Sequence, residues 1–495
     1  MKKILILSSL LGLLLSTSSC REEFLQSEPT ETLADPPAQA KLNGLYLMMV
    51  NTGTGGTTGH DDYGQKGYDL ISDLLSSDMV LSGVTYGWYS TIANLSAPVD
   101  FTSNSNYMPW RYYYRVAYAA NDVIAGLGGN DAVPAKPTDK AAMGQAKAMR
   151  AYAYFYLMQY FTTGYNADAL SIPLYTDAGV TGKPKAKQSE VYGQIVNDLT
   201  QAITLLEGFS RANKGVINKE VAQGLLAYTY AAMGEDLKAA NLSLAIIGKF
   251  PKTTAEETVY NQTTGSGGGF NDLKTKSWMW GFDLTEANDL DLISWWGQAD
   301  IFTYSYAWAG DPKSIDYSLY DAIRTDDIRK NQFKTVTETA TGYNMFDAKV
   351  DGDYPAVPAN KFYAPGRVIG GQRIVTTDYL FMRVDEFHLL AAETLAKSGS
   401  ETQAKSVLTA FLANRITDTS YINSLSGTAL LNEIYLQTRI ELWGEGKSYL
   451  AMKRNKATIT RGANHLFYAG QSFLYNEDRL TLDIPQAEVN NNPNL

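Results

Sequence analysis

The sequence predicts a mainly α-helical protein built from helical hairpins, with two long loop-rich insertions and a few short strands. Three observations lead there. Apolar residues recur every three or four positions in several separated segments. Small residues interleave with large ones inside those segments, as in Ala222, Ala227, Ala231 and Ala232 among Leu and Tyr, which lets helix pairs approach closely. Between the segments lie two stretches where the periodicity fades and Gly, Asn, Thr, Asp and Trp take over.

In chain order, residues 1–19 read as a secretory signal. Lys2 and Lys3 are a positive start, Ile4 to Leu15 an apolar run too short to span a bilayer, and Ser16 to Ser19 a small-residue cleavage region. Cys20, the only cysteine of the 495 residues, follows at once. A lone thiol at the cut reads as a lipid attachment point, the alternative being a plain signal peptide with a chance cysteine. The stretch resembles a bacterial lipobox, with Thr17 where that motif usually has Leu. Arg21, Glu22 and Glu23 resemble the surface-export signal of Bacteroidetes lipoproteins. Residues 20–38 form a lipid-anchored leader, with Pro29, Pro36 and Pro37 and few apolar side chains from residue 24 on.

Residues 39–495 are expected to form one domain, with a helical scaffold over about 105–250 and 380–455. Met149, Ala153, Tyr156 and Tyr160 make one helical stripe; Ile195, Leu199, Ala202 and Leu206 make another. Residues 219–233 continue the pattern, Gly234 breaks it, and residues 236–249 resume. Val384, Phe387, Leu390, Ala391 and Leu395 form a further stripe, followed by Ala404, Leu408 and Leu412. Leu431 to Lys453 reads as a last long helix interrupted by Gly444 and Gly446. The loop-rich parts span about 52–102 and 250–380, with Ser277 to Asp283 and Gln372 to Val375 alternating like short strands. Long loops on a rigid scaffold are where binding is expected.

Composition excludes several function classes. The formal net charge is −10, two units more negative once Lys2 and Lys3 are removed, and there is no basic tract; nucleic-acid binding needs clustered Lys and Arg. No Gly-rich phosphate loop, GxSxG elbow or cysteine nucleophile appears. Asp289, Asp291, Asp311 and Asp316 fit no EF-hand spacing, and His60, His388 and His465 are scattered, so no metal and no cofactor is assigned. The charges inside apolar helices, Arg150, Arg383, Glu386, Arg439 and Glu441, are expected to pair and set packing register. Tyr152, Tyr154, Tyr156 and Tyr160 are expected in the core.

Several motifs, in order, resemble the SusD/RagB-like nutrient-uptake lipoproteins of Bacteroidetes. Trp110, Tyr114 and Asn121 resemble the family's early helix, and Ala148 to Leu157 with Ile172-Pro173-Leu174 its RA-x-x-Y-F-x-L block. Val191-Tyr192, Ile195, Asp198-Leu199 and Ala202 resemble the next helix. Arg383, Glu386, Leu389, Ala392 and Glu393 resemble R-x-x-E-x-x-L-x-x-AE. Arg439, Glu441-Leu442, Glu445-Gly446 and Lys453-Arg454 resemble the ER-x-x-EL-x-x-EG helix. Ile484-Pro485, Glu488, Asn492-Pro493 and Leu495 resemble the terminal tail. Thr438 and Lys447 depart from the usual Glu and Arg, and Trp443 sits between Leu442 and Gly444.

The resemblance implies a SusD-like fold, in which tetratricopeptide-like helical hairpins pack against a loop-rich lobe. It also implies a non-catalytic surface lipoprotein of the cell outer membrane that captures oligosaccharide or polysaccharide. Its partner would be a TonB-dependent outer-membrane transporter of the SusC-like type. Peptide capture is the alternative within the family; an outer-membrane glycoside hydrolase, needing paired carboxylates, is the alternative outside it. Aromatic rings stack on the apolar faces of sugars. Tyr86, Trp88 and Tyr89 in the first insertion, and Trp295, Trp296, Tyr304, Tyr306 and Trp308 in the second, are therefore the candidate platform, led by Trp88 and one of Trp295 or Trp296. The other reading of each ring is that it packs the loop lobe. Asn94, Asp61, Asp62, Asp300 and Gln298 are candidate partners for sugar hydroxyls.

Overall fold

The long helices are Ala38–Leu47 (α1), Gln65–Leu75 (α2), Asn104–Gly126 (α3), Pro137–Phe161 (α4), Gln188–Leu205 (α5), Lys219–Met233 (α6), Asp236–Ile247 (α7), Asp385–Lys397 (α8), Glu401–Leu412 (α9) and Gly427–Glu441 (α10). The computed structural model describes residues 36–179, 182–337 and 353–495; the signal, Cys20 and most of the leader lie outside them.

Local chemistry explains the helix ends. Pro137 opens α4, where its missing N–H costs nothing. The Asn218 side chain caps α6 by accepting from the Val221 N–H at 3.1 Å. Gly234, at φ 77°, ends α6 in the left-handed conformation and turns the chain into α7. Consecutive helices pack on one another from α3 to α7, α8 packs on both α7 and α9, and α10 packs on α8. The hairpins therefore run on from the first scaffold block into the second.

From Ala141 to Phe161, α4 is buried on every side, and its polar side chains Gln145, Lys147, Arg150 and Gln159 are hydrogen-bonded inside. The four Tyr of that segment are core residues. The Tyr154 hydroxyl donates to the Tyr175 carbonyl and the Tyr160 hydroxyl to the Tyr68 carbonyl, each at 2.7 Å; burial of a phenol is tolerable when its O–H is satisfied.

Three local expectations change. The first insertion contains α2, every residue of which is buried. Its polar residues face inward with partners: Lys66 pairs with Asp69 at 3.0 Å, and Gln65 accepts from the Tyr113 hydroxyl at 2.9 Å. The apolar stripe Tyr68, Ile71, Leu74 and Leu75 is present in the sequence, but the helix is short and its polar face is enclosed as well. The segment 431–453 is two helices, α10 and Ser448–Arg454. Gly444 (φ 78°) and Gly446 (φ 71°) turn the chain between them. A Cβ on Gly444 would meet the Phe362 ring at 2.5 Å, and one on Gly446 the Asp69 carboxylate at 2.5 Å. Gln372–Val375 is not a strand but makes one isolated bridge, Thr303 to Gln372. The partner of Trp278–Phe282 is Tyr379–Arg383, running antiparallel.

Among the described residues the sheets are all two-stranded. One ladder positions the site: Met79–Leu81 pairs antiparallel with Lys313–Ile315, tying the first insertion to the second.

Charge sets register inside this scaffold. Arg150 of α4 forks onto Asp198 of α5 at 2.8 and 2.6 Å and also donates to Asn121 of α3 at 2.9 Å, so one guanidinium pins three helices. Arg439 pairs with Asp78 at 2.6 Å. A larger cluster is fully buried. Arg383, Arg415 and Arg329 all reach Glu441, at 2.8, 2.7 and 3.0 Å. Asp385 also takes Arg383 and Arg415, Asp327 takes Arg329, and Glu445 takes Arg383 and Lys361. Four cations thus face four carboxylates, the balance a buried ionic group requires. Burial alone would raise the Glu441 carboxyl, but Arg415 and Arg383 hold it well below the usual carboxylate range.

Candidate ligand-binding site

The two insertions meet at a small shelf of aromatic rings. His60 stacks flat on Trp88, centroids 5.1 Å apart and planes 3° off parallel. The Tyr306 ring stands edge-on to three neighbours: 5.7 Å from His60, 5.8 Å from Trp88 and 5.2 Å from Tyr86. His60 Nδ1 and the Tyr306 hydroxyl share a hydrogen bond. Burial raises the Tyr306 phenol, and a hydrogen bond with the Trp88 side chain pulls the other way. Tyr86 is 46% exposed; Trp88 and His60 are half-buried.

The backbone explains why Trp88 faces outward while its neighbour does not. Tyr89 sits at φ 65°, a conformation that costs a non-glycine residue about 1–3 kcal/mol. It starts the short helix Ser90–Ala93. Its ring turns inward, where the hydroxyl donates to the Tyr63 hydroxyl at 2.7 Å.

Beneath the shelf lies a buried lysine. Lys313 Nζ donates to Gln298 Oε1 at 2.7 Å and to the Asp311 carbonyl at 3.0 Å. Gln298 Nε2 in turn donates to the His60 carbonyl at 3.3 Å, and Asp311 Oδ1 accepts from the Tyr86 N–H at 2.9 Å. One side chain thereby connects the loop that carries His60 to the loop that carries Tyr86. Burial pushes the Lys313 ammonium down to about 7, with Asp311 opposing. Burial also raises the Asp61 carboxyl, beside the shelf, to about 6.

The other candidates fall elsewhere. Trp295 and Trp296 are buried, packed edge-to-face on each other at 5.0 Å, with Phe362 4.8 Å from Trp295. Lys66 lies 4.7 Å over the Trp295 ring. Neither indole has a face free for a ligand; they wedge the loop lobe against α2. Trp308 is buried against Gly370 and Tyr304. The half-buried Tyr304 carries the Arg373 guanidinium 3.6 Å above its ring. Asn94 closes a turn by accepting from the Ser96 N–H at 2.9 Å. Asp62 staples its loop through the N–H groups of Gly55 and Thr57, at 2.7 and 2.9 Å. Asp300 accepts from Phe302, Thr303 and Ala364, and burial raises it to about 7. These polar groups are spent on the fold.

The four aspartates weighed as a calcium set do not converge. Asp311 holds Tyr86, and Asp316 accepts from Leu319, Gly462 and His465; Asp289 and Asp291 lie on the surface. His60, set aside in the sequence as a metal ligand, is the ring that reading missed. Tyr306 and Lys313 join it from more than two hundred residues away, and no spacing in the chain signals that.

Comparison with known proteins fits this architecture. Residues 24–231 match the family described as "Starch-binding associating with outer membrane", SusD-like. Residues 261–495 match the SusD family proper, so the two matches together span most of the chain. The chain belongs to the SusD/RagB family. A SusD-like protein of Formosa agariphila is 26% identical over 222 residues, which is 42% of this chain and 40% of that relative. The match thus spans well under half of that relative's length. A SusD-like carbohydrate-binding protein of Bacteroides vulgatus superposes with a TM-score of 0.74 at 24% identity, covering 92% of this chain and 96% of that one. A SusD-superfamily protein of Bacteroides thetaiotaomicron gives 0.74 at 22%, covering 92% and 98%. The surface glycan-binding protein A of B. thetaiotaomicron, solved with laminarihexaose, gives 0.65 at 15%, covering 92% and 97%. These superpositions establish a SusD-like fold, mainly helical, for this family member.

Proposed function

We propose that this SusD-family protein captures oligosaccharide or polysaccharide on the His60–Tyr86–Trp88–Tyr306 shelf. In this reading it is held at the outer membrane by lipid on Cys20 and delivers its cargo to a TonB-dependent transporter. The observation that carries the proposal is the shelf itself: four rings from two distant insertions, converging with Tyr86 exposed and Trp88 half-buried. A flat, half-exposed indole beside a hydrogen-bonding phenol suits a sugar, which is apolar on its ring faces and polar at its rim. The family description and the laminarihexaose-bound neighbour support the class of ligand. Scaffold and ligand lobe, residues 39–495, act as one unit in this reading.

Catalysis is not part of it. Glycoside hydrolysis needs two carboxyl groups flanking one bond. Beside the shelf, Asp311 is buried and one of its oxygens accepts from the Tyr86 N–H, which argues against its pairing with Asp61 across a sugar bond. No described helix is long and apolar enough to cross a membrane; in this reading attachment is through lipid on Cys20.

The test is a glycan array followed by calorimetry with Trp88→Ala. Retention of a glycan without cleavage, weakened at least tenfold by the substitution, is the expected result. Peptide retention in place of glycan, or unchanged affinity in the variant, would refute the shelf.

A further inference from the structure

A second concave site lies beside the loop at Gly56. It is an open groove of about 630 Å³ between α3 and the C-terminal helix Gln486–Asn491. Tyr107, Arg111, Tyr114 and Tyr118 fall on successive turns of α3, about 5.4 Å apart along one face. Tyr118 is 58% exposed; Tyr107, Arg111 and Tyr114 are half-buried.

The two arginines of this face differ. Arg115 donates to the Thr54 carbonyl at 2.7 Å. Arg111 lies over Gly56, so close that a Cβ there would meet its Nε at 2.8 Å. Among the described residues its guanidinium has no hydrogen-bond acceptor and no carboxylate partner. Glu488, the acid of the groove, is engaged elsewhere: one oxygen accepts from Trp110 Nε1 at 3.3 Å, the other from Asn492 Nδ2 at 3.0 Å. A half-buried guanidinium with its five donors unused is a receptor for a planar, bidentate anion.

We propose that this groove is a second saccharide site that accepts acidic sugar residues, with a carboxylate or sulfate seated on Arg111 and the ring against Tyr107 or Tyr118. The proposal rests on the reading that the protein binds glycan, and it narrows the ligand to one carrying anionic residues. An anionic membrane is a poorer occupant, because lipid recognition draws on clusters of 4–8 basic residues and this groove has two. The overall negative charge of the chain does not forbid an anionic ligand, since at physiological salt it is screened beyond about 8 Å while Arg111 acts at contact.

The experiment is isothermal titration of the full chain with trigalacturonate, with a sulfated trisaccharide and with a neutral laminari-oligosaccharide. It uses wild type, Arg111→Gln, Arg111→Lys and Trp88→Ala, each checked by thermal melt. Arg111→Gln is expected to weaken an acidic oligosaccharide at least tenfold and leave the neutral one unchanged. Arg111→Lys, which keeps charge but loses the fork, should fall between. Acidic binding should weaken with added salt. The two acidic ligands separate carboxylate from sulfate. The groove assignment is overturned when neither acidic ligand binds, or when Arg111→Gln leaves acidic binding unchanged. Failure of the shelf looks different: Trp88→Ala without effect on the neutral ligand while the Arg111 effect persists.

Discussion

Trp88 and Trp296 are the same residue type in the two insertions, and their surroundings give them opposite roles. Trp88 offers a half-open face; Trp296 is 1% exposed and locked among rings. Trp88→Ala should cost binding, about 1.4 kcal/mol or more, with little change in melting temperature. Trp296→Ala should lower stability by about 3–5 kcal/mol, read by denaturant unfolding. The sequence makes both indoles visible but not their burial, because Trp88 lies beside a left-handed residue and Trp296 beside packing partners far along the chain. Lys313 makes a pH prediction. Its folded value of about 7 lies below the ordinary lysine value of about 10.4. Between those limits the unfolded chain binds more protons than the folded one, so this residue makes stability rise from pH 7 towards pH 10. Lys313→Met should remove that slope, amounting to a few kcal/mol, in urea unfolding measured at pH 6, 7.5 and 9.

At the scale of elements, the long periodic helices were readable and the short α2 was not. Residues such as Ile195, Leu199 and Ala202 sit on α5 with one face buried and one wet, so their period survives in the sequence. In α2 the stripe Tyr68, Ile71, Leu74 and Leu75 is in the sequence, but over a short helix set in a Gly-rich stretch, and the burial of its polar face comes from tertiary packing that no local pattern records. The Gly444–Gly446 turn was visible as an interruption, but its sharpness comes from Phe362 and Asp69, which lie far away in sequence. Gly446→Ala must strain a left-handed φ and displace a buried carboxylate. It should destabilise by about 1–3 kcal/mol, read as a lower urea midpoint with unchanged slope. Arg150 was readable as a structural charge; its partner Asp198 was not. Arg150→Ala strands that carboxylate in the core and should cost about 3–5 kcal/mol, part of which returns in the double variant with Asp198→Ala.

Over the whole molecule, the cluster around Glu441 joins the late helices α8–α10 to the loop-rich lobe, through Arg329 and Lys361. Glu441, Asp385, Glu445 and Glu393, each held below the usual carboxylate range by neighbouring cations, set the acid limit of the fold. Burial raises Glu393, but Arg454 and Lys397 win and hold it at about 2. A carboxylate whose folded value lies below its unfolded one contributes fully above about pH 4.3 and loses that contribution as pH falls towards its folded value. Acid unfolding should therefore begin only below about pH 4, which circular dichroism across pH 2–6 would check. Glu441→Gln, facing three guanidiniums with one acceptor oxygen, should cost about 5 kcal/mol or more and be seen as lost soluble yield.

Glu441 has a further meaning for how the chain comes into being. Arg329, Arg383 and Arg415 are all made before the carboxylate that neutralises them together. Until that acid emerges, Asp327 and Asp385 are the carboxylates of this centre that face the three guanidiniums, and the buried charge is not yet balanced. Nascent chains halted upstream of Gly427 cannot close this centre, and ought to be degraded instead of accumulating as a shortened receptor.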